Sequence, residues 1–580
     1  MPMSAPAITR WISRSLTFLS RSLIVPSLFF VLCMLQLWTT RYVPSLDGPQ
    51  HLFNAHVLAE LVRGNELYGE FYRVNPVVVG YWTGHFFLGL FKLFLPAWLA
   101  EKCFLTAYVL GMFFSFRYLV RSIRPDTGNL MVCLIFPFIF HTYFLLGYYS
   151  FSIAAIFFFW AFGYWIRKSD RFGWKQMIVF GAIVMGIFLS HALVFLFFGA
   201  SFLLFFAATS FHRVLATGGR KTTSGAGPEE GRESGGKARA EAGRETGDGI
   251  RTGGGRGVPG DILSQAWRLV LAVLPAVVLW IIYLRNVMAI NSTVVPTDYT
   301  ATELVKNLFR IRQLVGFHHE LETPAYRVLF VLIALLSLYV FLHIMWKLHR
   351  GEERWIVLFN RYYAWAWISL LFLLAYFLAP DRISAGNLTH RFGVFFFLSL
   401  VVLLAAQRIP PWAQMVTVAV LLGVMAYTRH IQHDFYVRLN GDIGEIREMT
   451  PYMEEGTTVL SINTSDNWIH LHFQLYAVVD KSVVHLDNPQ CGGQFPVIWN
   501  KETLPECYAG DHFYRPPGSP DIYGMGHRVL QVDYITVFYN ERFWETKEYE
   551  TWQHILRDYY EPVVVSSGGR AGLYRRIAGP

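Results

Sequence analysis

Charged side chains are scarce in this chain. They make up 16% of its 580 residues, where an ordinary soluble domain carries about 25%. That deficit excludes a disordered protein, and with 53% hydrophobic and 17% aromatic residues it excludes a soluble enzyme as well. Cysteine is also rare. There are five, and none sits in a CxxC pair, so neither a zinc ribbon nor a thioredoxin-type site is encoded. The soluble parts lack a basic stripe interleaved with aromatics. The net charge of +9 therefore points to no nucleic acid partner. No clear internal repeat is present. What remains is a polytopic α-helical membrane protein with membrane lipids as its immediate partners.

Apolar runs set the layout. The first, Leu23 to Trp38, follows Arg10, Arg14 and Arg21 and reads as a retained helix with a cytoplasmic N-terminus, because no small-residue cleavage site follows it. Further runs lie near 102–120, 130–147, 149–166, 176–190, 192–208, 267–288, 326–346, 362–379, 392–406 and 412–428. Together they predict about eleven transmembrane helices. The stretch 79–97 carries His85 and Lys92 and ends near Pro96. Counted as an interfacial amphipathic helix, it leaves the clusters Arg117/Arg121/Arg124, Arg167/Lys168/Arg171/Lys175, Arg213/Arg220/Lys221, Lys347/Arg350/Arg354 and Arg408 on the cytoplasmic side. That is the positive-inside pattern, and counting the stretch as a span would reverse it.

Four regions follow. Residues 1–216 form an N-terminal transmembrane module with a first outer loop at 41–100. Residues 217–260 are rich in Gly, Arg and Glu and read as a disordered cytoplasmic linker. Residues 261–429 hold the later helices. Residues 430–580 have the hydropathy of a small α/β domain, expected on the extracytoplasmic side of the cell (inner) membrane. TTVLSINT, AVVDKSVVHLD, VDYITVFYN and EPVVVSSGGRAGLYRR read as strands there, and TKEYETWQHILRDYY reads as a helix. An oxidising outer compartment would permit a Cys491–Cys507 disulfide; two unpaired thiols are the equal alternative.

This topology gathers Asp47, His51, His85, His191, His318, His319, Glu320, Asp381, Arg382, His390 and Arg391 on one face. Ionisable residues near membrane depth are site candidates by default. Asp47 opens RYVPSLDGPQHLFNAHVLAEL, where it could simply cap a helix. His51, four residues on, shares its face as a metal ligand, a phosphate donor or an interfacial His. Arg382, His390 and Arg391 offer donors to a phosphate; Arg391 could equally snorkel beside Asp381. His191 reads as a ligand or as a helix-end residue. His318, His319 and Glu320 read as a binding cluster or as loop decoration.

The order LDGPQHLFNAH, NPVVVGYWTGHFFLGLFKLF, LAEKCFLTAYVLGMFFSFRYLV resembles the GT-C membrane glycosyltransferases, which include protein O-mannosyltransferases and the lipid A aminoarabinose transferase. The resemblance covers roughly residues 20–210, and the later spans in layout only. It implies an inverting glycosyltransferase that takes its sugar from a polyprenyl-phosphate donor, with Asp47 as the catalytic acidic residue. One departure stands out. Where many members carry a second acidic residue, this chain reads HTYFLLGYYSFS, with Tyr148, Tyr149 and Ser150 and no carboxylate. A Mg²⁺ or Mn²⁺ cofactor would then rest on Asp47 and His51, a poor set for such ions. Two rival classes remain: a transporter or flippase of a lipid-linked saccharide, which would need paired repeats or broken helices, and a non-catalytic envelope assembly protein.

Overall fold

The computed structural model describes residues 18–221, 258–288, 294, 295, 297, 299–383, 386–500, 502, 503 and 532–577. Most of the linker 217–260 and Cys507 lie outside them. Among the described residues, seven helices are long and apolar enough to cross a membrane: Ala97–Ile123, Tyr149–Arg171, Ala192–Thr217, Pro259–Asn286, His319–His349, Leu388–Ala405 and Pro411–Tyr452. Four shorter apolar helices, Ile24–Trp38, Asn129–Ile139, Trp174–Ser190 and Ala364–Leu378, fall on the remaining predicted runs. The chain is thus a polytopic helical membrane protein with a small C-terminal sheet region.

The helix Trp82–Lys92 spans eleven residues, or about 16 Å, against a hydrocarbon core of about 30 Å. Its polarity runs inside out. His85 and Lys92 are buried against the protein, while Phe86, Phe87 and Leu90 are exposed and Phe94, just beyond, is 80% exposed. Lys92 is held by Asp480 at 3.1 Å. A helix that turns its cation inward and its phenylalanines outward suits an apolar or interfacial surround.

The cations collect at one end of the bundle. Arg167 donates to Ser122 Oγ at 2.7 Å, Arg117 and Arg121 donate to Asn129, and Arg124 lies over Tyr362. Two helices have an opposite end near Asp47. Ala97–Ile123 starts where the Ala97 N–H donates to Asp480, and Leu388–Ala405 carries Arg391 in its first turn.

The C-terminal region forms a five-stranded sheet in the order Val483–His485, Thr457–Asn463, Tyr534–Phe538, Ala571–Arg576, Tyr560–Val565. The first three strands run parallel and the last two pair antiparallel. The predicted strand AVVDKSVVHLD shortens to Val483–His485, because Trp468–Ala477 ahead of it winds as a 3-10 helix. The last of the long apolar helices, Pro411–Glu448, runs unbroken through residue 430 and enters the soluble region. Among the described residues Cys491 has no disulfide partner; it is buried, with its Sγ 3.7 Å from Asn54 Oδ1.

The sheet region and the loop 41–100 are built together. Tyr72–Val74 pairs antiparallel with Val497–Trp499. The Tyr68 and Tyr72 hydroxyls donate to backbone carbonyls of Lys481, Val483 and His485. Asn54 exchanges hydrogen bonds with Gln490 and Asn488 at 2.9 and 2.7 Å. These buried polar contacts fix how residues 468–499 sit over the Asp47 helix.

Candidate active site

Asp47 occupies the N-cap position of the helix Gly48–Arg63, yet its side chain makes no capping hydrogen bond. The turn is held by its backbone instead. The Asp47 N–H donates to the Leu146 carbonyl at 2.9 Å, and the His51 N–H donates to the Asp47 carbonyl at 3.1 Å. Two glycines allow this approach. A Cβ on Gly147, which has φ +86°, would stand 2.4 Å from Gly48 N, and one on Gly48 would stand 2.1 Å from Ser45 Oγ. The carboxylate is thereby free to face the chamber, where it keeps 24% exposure. Burial pushes its pKa up from 3.8 to about 7, and the nearby Arg391 charge works against that rise.

Arg391 enters from the start of Leu388–Ala405. It is buried, its Nη1 lies 3.3 Å from His191 Nε2, and its Nε has no hydrogen-bond partner. Its guanidinium lies over the rings of Tyr143, Tyr148 and Phe151 at 5.2, 5.5 and 5.4 Å. No ion pair joins it to Asp381, so the snorkelling alternative with that partner is not what the fold adopts. Tyr148, in the position where the resemblance would put a carboxylate, stacks on Tyr143 at 5.5 Å.

A histidine chain lies beside the Asp47 turn. His85 Nδ1 donates to the Tyr81 carbonyl at 2.8 Å, so its Nε2 accepts from His51 Nδ1–H at 3.2 Å. This network assigns the tautomers and leaves His51 Nε2 unprotonated. Burial holds both rings neutral: the His85 pKa falls to about 4 and that of His51 lies well below its ordinary value. Tyr81 itself has φ +74°, a left-handed conformation that is strained for an aromatic residue. Its ring meets His191 edge-on at 5.2 Å and stacks on Phe495 at 4.7 Å.

The soluble region supplies the roof. Phe495 covers Tyr81, His85 and His51. Gln50 Nε2 donates to His472 Nδ1 at 3.1 Å, which leaves the proton on His472 Nε2, 4.0 Å from Asp47 Oδ1. That is too long for a hydrogen bond. Burial lowers the His472 pKa to about 3, so the two groups form a neutral donor facing a carboxylate and not an ion pair.

Of the predicted residues, Asp47, His51, His191 and Arg391 come together. His390 does not join them: its Nε2 lies 3.3 Å from Tyr299 Oη. The side chain of Arg382 lies outside the described residues; its backbone pairs with Val295. His318 and His319 sit at the start of His319–His349, away from the chamber. Sequence reasoning missed His472, Phe495 and Glu101. Glu101 is fully buried and accepts from the Tyr149 hydroxyl at 2.9 Å, close beneath Gly48. As a carboxylate one residue ahead of the predicted run 102–120 it carried a readable signal. Among the described residues, no three His, Cys, Asp or Glu side chains gather as a cation site. The neighbours of Asp47 are imidazoles, phenols and a guanidinium, which do not suit the oxygen-rich sphere of Mg²⁺ or Mn²⁺.

No protein-family model matches the chain, and no curated protein matches it in sequence. Among solved structures it is similar to the crystal structure of ArnT from Cupriavidus metallidurans in the apo state, at 10% identity and a TM-score of 0.48, over 96% of this chain and 98% of that chain. This is a likeness of chain path.

Proposed function

We propose that the protein is an integral membrane glycosyltransferase of GT-C type. It moves a sugar from a polyprenyl-phosphate donor to an acceptor hydroxyl on the outer face, with inversion. The observation that carries this reading is the uncapped Asp47 carboxylate, lifted to about 7, facing a chamber that also holds the Arg391 guanidinium with a free Nε. A helix cap would have spent that carboxylate on its own backbone.

In the proposed step the acceptor oxygen bonds to the anomeric carbon as the bond from that carbon to the phosphate oxygen breaks. The acceptor proton passes to Asp47. The electron pair leaves with the polyprenyl phosphate, whose added charge Arg391 meets in a dry, aromatic-lined setting. A base titrating near 7 is matched to neutral pH, since it is partly ionised and still basic enough to take a proton. The fixed Arg391 needs little reorganisation as charge develops.

The outer-face assignment is supported by the cation clusters at the other end of the bundle. The test is to supply purified protein with polyprenyl-phosphate sugars labelled in the sugar and follow the label. Transfer to an acceptor with release of polyprenyl phosphate is expected. Translocation of intact donor across vesicles without its cleavage would favour a flippase and refute the reading.

A further inference from the structure

Outside the Asp47 chamber, the turn after Ala301–Phe309 and the start of His319–His349 border an open cavity of about 490 Å³. Arg310, Arg312 and Arg327 line it together with His319, Asn307 and Thr323. Its one acidic lining residue is Glu320. The neighbouring Glu322 is committed elsewhere, accepting from the backbone N–H groups of Gly316, Phe317 and His318 and from Gln432 Nε2. Among the described residues none of the three arginines forms an ion pair, and Arg312 Nη1 is buried with no hydrogen-bond partner. Between Arg310 and Arg312 the chain passes through Ile311 at φ +41°, a strained conformation for a β-branched residue.

Three like charges brought to one cavity repel one another. Glu320 in the lining and Glu322, whose charge acts on Arg312, offset this only in part, so the cavity keeps an excess of positive charge and Arg312 keeps a donor unmet. An anion would relieve both. The first turn of the 31-residue helix His319–His349 adds its positive end to the same place. Guanidinium forks match phosphate oxygens. Two features select the kind of phosphate. The cavity lies at the first turn of a helix long and apolar enough to span, which is the level of lipid headgroups. Its volume also exceeds what a bare ion fills.

We propose that this cavity binds the phosphate of an anionic lipid headgroup. The site stands apart from the Asp47 chamber and does not depend on the transferase reading. The two are neighbours all the same: the Thr142 hydroxyl lies within hydrogen-bonding reach of the carbonyls of Arg312 and Val315, at 3.2 and 2.7 Å, and the next residue, Tyr143, lies under Arg391.

The test uses the full chain, delipidated in neutral detergent and titrated with phosphatidylglycerol, phosphatidylcholine or inorganic phosphate under native mass spectrometry. Phosphatidylglycerol is expected to bind most tightly. The double variant Arg310→Gln/Arg327→Gln should lose roughly tenfold or more in its affinity, because each arginine removes a charge-assisted bond. Equal binding of phosphatidylglycerol by parent and variant would overturn the proposal. Inorganic phosphate binding as tightly as the lipid would also overturn it, in favour of a solute site. A second measurement needs no variant. Phenylglyoxal modification of the wild-type chain, read peptide by peptide, should slow at Arg310 and Arg327 when phosphatidylglycerol is added and stay unchanged at exposed Arg557. Absence of that selective protection refutes the assignment.

Discussion

The soluble region contributes two histidines from one 3-10 helix, Trp468–Ala477, and each faces an aspartate from another element, Asp442 on the end of Pro411–Glu448 and Asp47 in the first outer loop. They are treated in opposite ways. His470 Nε2 lies 3.2 Å from Asp442 Oδ2, Ser465 Oγ lies 2.7 Å from its Nδ1, and Asp442 is also held by Arg570. Every group there has a partner. His472, two residues on, stops 4.0 Å short of Asp47, and Asp47 bonds to nothing through its side chain at the N-cap. The first pair locks the sheet region onto the end of the long helix Pro411–Glu448. The second leaves a half-buried carboxylate uncapped and ready to accept. The same residue types are structural where their bonds close and chemical where they are kept open.

Asp47→Asn should show the largest effect. The amide keeps the size and cannot take a proton, so transfer should fall by roughly 100- to 10,000-fold. Stability should move the other way. In the folded chain the carboxyl holds its proton up to about 7, whereas the unfolded chain loses it near 3.8. Wild-type stability therefore falls as pH rises between those values, and the full cost above neutral pH is on the order of 4 kcal/mol. The Asn variant escapes that cost. It should melt higher than wild type at pH 8 and show no gain at pH 4, as read by thermal unfolding in detergent. A variant that is both active and no more stable at pH 8 would make Asp47 an ordinary turn residue.

Asp442→Ala sharpens the contrast from the locked side. Removing one partner of a buried, hydrogen-bonded pair costs roughly 3 kcal/mol. Here the loss should appear as faster proteolysis of residues 454–577, with the spanning helices still inserted. Because Asp442 touches nothing in the chamber, residual transfer by the surviving folded fraction should keep its wild-type pH dependence. A changed pH profile would place Asp442 within the reacting network.

Much of this was legible in the sequence. All eleven apolar runs became apolar helices, because a span must satisfy its own backbone and repeats one composition for its whole length. Asp47, His191 and Arg391 could be named because polar groups beside such runs are conspicuous. Arg391 could not be tied to its partners, since nothing in APDRISAGNLTHRFG encodes that its guanidinium turns onto Tyr143, Tyr148 and Phe151. His472 was beyond reach. It meets Gln50 across 422 residues, and its own segment has the hydropathy of any soluble core. The shortened strand at Val483–His485 has the same origin: the β-branched residues just before it were recruited to close a 3-10 helix under tertiary contacts that periodicity does not record.

Arg391→Lys tests the other half of the chamber. Lysine keeps the charge and loses both the planar fork and the stacking over three rings. Donor KM should rise roughly tenfold, with kcat reduced less and the pH optimum unmoved, as steady-state kinetics with a fixed acceptor will show. Loss of all activity together with loss of insertion would instead make Arg391 a packing residue.

The smallest effect is expected at His472, and it bears most directly on the comparison. The Nε2–H of a neutral imidazole 4.0 Å away offers Asp47 a dipole without a bond. His472→Gln should leave the fold intact, because Gln50 can still bond to the new amide, and it should cost only a few-fold in kcat. The informative quantity is the pH profile. Wild-type activity should rise with pH through about 7 as Asp47 ionises. If the His472 dipole favours the carboxylate, the variant's rise will shift to higher pH; His470→Gln, at the locked pair, should destabilise the sheet region without moving the rise. If the two variants exchanged these behaviours, the open pair would be the structural one and the closed pair the chemical one.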